Sequence, residues 1–80
     1  MTTTAEAQKP AAAVALDGPE PYYNRDGDEL PEWTVAVIDE DGDPVGTVYT
    51  VRQGHAAALA LARRMAADRR LELVDDSTPE

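Results

Sequence analysis

The sequence predicts an α+β fold: a small three-stranded antiparallel sheet of ββαβ order, spatial order 2-1-3, with one helix on one face. Three observations lead there. The stretch Gly54–Arg70, GHAAALALARRMAADRR, places Ala58, Leu59, Ala62, Met65 and Ala66 at spacings of three and four, which puts them on one helical face. Two β-rich stretches, Trp33–Ile38 and Val45–Val51, flank the turn sequence DEDGDP. A short apolar stretch, Leu71–Val74, follows the helix and completes the sheet.

The elements follow in order. Met1–Pro10 is small and polar, with no pattern that asks for order. Ala11–Leu16 is apolar but short, and reads as either a turn and a half of helix or an edge strand. Asp17–Glu32 holds Pro19, Pro21 and Pro31 with Gly18 and Gly27, so it is expected to be a loop or extended arm. Tyr22 and Tyr23 interrupt that arm and suggest an anchor, against either the chain's own sheet or a partner. Residues 1–32 are therefore expected to form a flexible or wrapping arm, 33–75 the ββαβ core and 76–80 a tail.

Trp33–Ile38 is apolar on both parities, so the first strand shows no clean wet face. Asp41-Gly42 marks the hairpin, and Pro44 belongs where no ladder donor is needed. Val45, Thr47, Tyr49 and Val51 share one face of the second strand. The helix lacks a strong N-cap residue, while Arg63, Arg64, Arg69 and Arg70 in its second half complement the helix dipole. The helix crosses back and is expected to deliver the third strand antiparallel to the first. One helix covers one sheet face, so the other is expected to be covered by the arm or by a second chain.

This order resembles the small ββαβ proteins of an uncharacterised bacterial family that open on a Trp-containing strand and follow an Ala-rich helix with a strand like Leu71-Glu72-Leu73-Val74. The resemblance spans Trp33–Asp75. It carries no catalytic motif and implies no functional residue.

Size and composition exclude several functions. Eighty residues make one domain. A chain this short buries only about 60% of its unfolded surface, so added burial from a partner is expected to matter. There is no cysteine, which excludes disulfides and thiol chemistry. A single histidine argues against zinc. Sixteen acidic residues against seven basic ones give a net charge of -9, which opposes direct nucleic-acid binding and favours basic partners. No apolar stretch is long enough to span a membrane, no basic region precedes Ala11–Leu16 as in a signal peptide, and a cytoplasmic location is the expectation.

No catalytic, cofactor-binding or metal-binding residue is expected. His55 has no Ser or Cys near it in sequence, and the one Ser is Ser77 in the tail, so a packed boundary histidine is the reading. Asp39, Glu40, Asp41 and Asp43 lack the Gly and Glu spacing of an EF-hand loop. With Asp26, Asp28, Glu29 and Glu32 they instead suggest a negative surface that imitates a phosphate backbone. The candidate partner-binding residues are these eight acids with Tyr22 and Tyr23. The expected function is a non-enzymatic acidic interaction protein, an inhibitor occupying the basic nucleic-acid-binding surface of a bacterial defence or nucleic-acid-handling complex. A phage protein with anti-defence activity would fit. The alternatives are a homodimeric structural module with incidental acidity and a weak nucleic-acid binder acting through the helix arginines.

Overall fold

The computed structural model describes residues 10–79. The expectations for Met1–Lys9 and for Glu80 lie outside the described residues. The elements are β1 (Ala13–Tyr23), β2 (Glu29–Ile38), β3 (Pro44–Val51), α1 (His55–Arg69) and β4 (Glu72–Asp75). The α+β class is as expected, and so is one helix among the described residues. The sheet is not: it is mixed and four-stranded, in the order β3-β2-β1-β4.

The added strand comes from the expected arm. β1 pairs antiparallel with β2 from Ala13–Ile38 to Tyr23–Glu29, and parallel with β4 from Ala13–Glu72 to Leu16–Asp75. β4 does run antiparallel to β2, because a helix crossover returns β4 in the direction of β3. The two are not neighbours, because β1 is inserted between them. The order 2-1-3 is corrected by this insertion, and the Ala13–Tyr23 part of the expected arm is a sheet strand. Two alanines among four residues and the prolines beyond hid the strand from propensity.

The prolines obey the edge rule. β4 accompanies β1 only as far as Leu16, and the tail carries on to Gly18 through Asp76 N–H to Leu16 O (2.9 Å) and Thr78 N–H to Gly18 O (3.0 Å). β3 accompanies β2 only from Trp33. Pro19, Pro21 and Pro31 all lie beyond those points, in a two-stranded ribbon whose outer edges need no ladder donor. The ribbon stretches the molecule to 48 × 27 × 17 Å.

The core lies between the sheet and α1. Val14, Leu16, Trp33, Val35, Val37 and Val51 face Ala58, Ala62, Met65 and Ala66. The helical stripe is the expected one, with Leu59 packed at its margin. α1 starts at Gly54 without a side-chain cap. It ends on Arg70 in the left-handed region (φ 57°), where Leu71 N–H reaches Ala66 O at 2.9 Å in a Schellman-type closure.

Among the described residues no element packs across the opposite sheet face. Its central positions are Ala13, Ala15 and Ala36, all of them buried. Small side chains there limit the apolar area left to water.

Candidate functional site

Strand alternation sorts the charges by face. The open face carries Ala13, Ala15 and Asp17 on β1, Thr34, Ala36 and Ile38 on β2, Val48 and Thr50 on β3, and Glu72 and Val74 on β4. Past the bulge between Asp17 and Glu20, the facing pairs Glu20–Glu32 and Tyr22–Leu30 extend this face along the ribbon. Its carboxylates are thus Asp17, Glu20, Glu32 and Glu72. Its cation is Arg52, which donates from Nε to Glu32 Oε1 at 3.1 Å and lies 4.2 Å from the Tyr22 ring centroid. Two glutamates directly opposed repel, and Arg52 relieves that repulsion while clamping Tyr22. Tyr23, at the ribbon end, is 67% exposed. Arg63, Arg64, Arg69 and Arg70 all sit on the helix layer, on the other side of the sheet, and all are exposed.

The remaining candidate acids lie in two turns of the same construction. In Asn24–Asp28, the Asn24 Oδ1 accepts from Asp26 N–H and Asp28 N–H, both at 2.9 Å. In Asp39–Asp43, the Asp39 Oδ1 accepts from Asp41 N–H at 2.9 Å and Asp43 N–H at 3.0 Å. Gly27 (φ 86°) and Gly42 (φ 88°) occupy matching left-handed positions and donate to Asn24 O and Asp39 O, both at 3.0 Å. The shared pattern, Asn or Asp, any residue, then Asp-Gly-Asp, stands in the sequence as NRDGD and DEDGD. That repeat is the signal by which the second hairpin turn was findable; each Asx side chain templates its own turn.

Asp39 is therefore buried by its structural task. Its carboxylate, with those of Asp41 and Asp43, forms a group within 4.8 Å, in which Asp39 Oδ1 accepts the Asp41 and Asp43 N–H groups. The two turns stand at opposite ends of β2, about 30 Å apart by strand rise. Asp26, Asp28 and Glu29 thus mark one end of the acidic face, Asp39, Glu40, Asp41 and Asp43 the other, and Glu32 lies between.

A second polar cluster joins residues distant in sequence. His55 Nε2 lies 2.9 Å from Ser77 Oγ, and Ser77 donates from Oγ (2.5 Å) and N–H (2.9 Å) to Asp75 Oδ1. These bonds, chiefly the hydroxyl's, hold the Asp75 carboxyl below its ordinary value, with help from the charges of His55 and Arg63. Because the Ser77 proton points to Asp75, His55 Nε2 is the donor to Ser77. That polarity is opposite to a nucleophile whose proton is taken by histidine.

The cluster is a clasp. The Trp33 ring meets His55 with centroids 5.9 Å apart, and its Nε1–H donates to Thr78 O at 3.0 Å. The tail after β4 is thereby tied over the indole and onto the first turn of α1. Sequence spacing of 22 residues between His55 and Ser77 hid this contact.

Among the described residues no helix is long and apolar enough to cross a membrane. No protein-family model, curated protein or solved structure matches the chain significantly.

Proposed function

We propose that this chain is a non-enzymatic acidic interaction protein whose open sheet face and two end turns engage a basic protein surface. The observation that carries this is charge segregation. Asp17, Glu20, Glu32 and Glu72 lie on the face away from the helix, the acidic turns extend it at both ends, and four of the arginines lie on the opposite layer. A carboxylate track of about 30 Å with irregular spacing is the electrostatic outline that a nucleic-acid groove accepts. The partner class is then the basic surface of a nucleic-acid-handling complex, bacterial defence complexes included, and the effect is inhibition by occupancy.

The test is capture from bacterial lysate, repeated at raised salt and with duplex DNA as competitor. Stoichiometric recovery of a nucleic-acid-binding protein, released by both treatments and lost in Asp17→Lys/Glu20→Lys, supports the reading. Capture indifferent to salt, DNA and those reversals overturns it. Direct binding of the purified chain to duplex DNA would instead assign function to the helix arginines.

A further inference from the structure

Past the end of β4 the chain is held to the fold by hydrogen bonds and not by apolar burial. Asp76 and Thr78 continue the pairing along β1, donating to Leu16 O (2.9 Å) and Gly18 O (3.0 Å). Thr78 O in turn accepts the Trp33 Nε1–H at 3.0 Å. Ser77 stands between them, its Oγ accepting from His55 Nε2 and donating to Asp75. Asp76, Thr78 and Pro79 are exposed and Ser77 is half-buried. β4 itself differs, because Leu73 packs against the core. A surface segment with hydrogen bonds but little apolar contact lies at the low-stability end of a fold, so local opening from this side stops at Asp75.

The start of α1 depends on the same bonds. Gly54 makes no side-chain cap hydrogen bond, and the first turn holds no acidic residue to meet the positive end of the helix dipole. Its first residue, His55, is instead held from outside the helix. The ring is hydrogen-bonded to Ser77, and its centroid lies 5.9 Å from that of Trp33. The backbone bond that closes this turn is Ala58 N–H to Gly54 O, at 3.1 Å.

We infer that residues 76–79 and the first turn of α1 form one opening unit, a strap over Trp33 that releases while the sheet stays folded. Ser77 is the link: the tail cannot leave β1 without freeing His55, and an uncapped turn that loses its outside hold frays. Opening uncovers a defined set of groups. Leu16 O and Gly18 O become free acceptors on the edge of β1. Trp33, 2% exposed in the closed form and adjoining Gly18, presents its Nε1–H beside them. Free backbone acceptors on a strand edge are the elements of a strand-addition site. The closed strap is therefore an autoinhibitory contact. The chain's own tail occupies that edge, and the opening equilibrium sets how often the edge is offered. The strap stands independently of any partner for the acidic face.

The experiment is native-state hydrogen exchange on the full chain, followed by NMR at increasing urea below the unfolding transition. The four protons to follow are the Asp76, Thr78 and Ala58 amides and the Trp33 indole N–H. They are expected to share one opening equilibrium, at least about a hundredfold more open than that of the amides joining β1 to β2. That equilibrium should depend little on urea, because the opening exposes little surface. Ser77→Ala removes the link and is expected to speed all four at least about tenfold, as for the loss of a hydrogen bond to a charged group. Acrylamide quenching of Trp33 emission should rise with them. Exchange of the four protons only through global unfolding, with the urea slope of the sheet amides, overturns the inference. So does a Ser77→Ala variant in which the tail amides speed up while the Ala58 amide and the Trp33 indole proton do not.

Discussion

Replacing Gly18 with alanine tests the packing on which the whole sheet depends. Gly18 sits at the β1 bulge with φ of 129°, and its carbonyl accepts the Thr78 N–H that ties down the tail. A Cβ there would lie 2.8 Å from Trp33 Cδ1 and 3.0 Å from both Glu32 O and Trp33 Cα. Two of those three atoms are backbone and cannot step aside. The backbone conformation alone costs on the order of 1–3 kcal/mol for a residue with a side chain. Overpacking against the indole and the β2 backbone adds about 1–3 kcal/mol more. A chain of this size has a total stability of about 4–12 kcal/mol, so the sum is a large part of it. The melting temperature should fall by roughly 10–50 °C, at about 4–8 °C per kcal/mol. Urea unfolding followed by the fluorescence of Trp33, the single tryptophan, reads the loss directly. Gly27→Ala is the control: Gly27 also has positive φ (86°), but nothing lies within 4 Å of its would-be Cβ. It should lose only the conformational part, about 1–2 kcal/mol. Equal losses in the two variants would refute the close packing of Gly18 on Trp33.

Two further outcomes follow from the helix end and the clasp. Arg70→Gly should stabilise the chain by about 0.5–1 kcal/mol, since Arg70 holds a left-handed conformation (φ 57°) at the C-cap that glycine adopts without penalty; an unchanged or lowered urea midpoint would contradict that. Ser77→Ala should destabilise the chain in a pH-dependent way. Asp75 has a lowered pKa, so its contribution is fully present above the ordinary aspartate value of 3.8 and is lost as pH falls through the lowered one. Ser77→Ala removes the largest cause of the lowering, so the gap between wild type and variant in urea midpoint should be widest above pH 5 and narrow toward pH 2. A gap that is constant across this range would show that the Ser77 hydroxyl does not stabilise the Asp75 carboxylate.

The parts of the fold that could be read from the chain are those set by local chemistry. The α1 stripe at Ala58, Ala62, Met65 and Ala66 follows from a 3.6-residue period, and the burial matches it. The β2–β3 hairpin follows from Asp41-Gly42 between two β-rich runs. Glu32 and the acids of the two turns could be named, but Asp17, Glu20 and Glu72 could not, because whether they share a face with Glu32 depends on register. A bulge between Asp17 and Glu20 sets Glu20 opposite Glu32, and no pattern of one strand reveals that.

What the sequence alone determined, then, is the helix, its apolar face, one hairpin and a strongly negative chain, because each follows from neighbours within about one turn or one strand. The tertiary structure decided that β1 exists. Ala13–Leu16 has weak strand propensity and three prolines follow in the next sixteen residues. It becomes the inner strand because β2 and β4 supply hydrogen bonds on both its edges and α1 buries Val14 and Leu16 completely. Pairing partners distant in sequence overrode a local preference. The same insertion placed the carboxylates of β1 and β2 on one open face and left β3 as the uncharged edge.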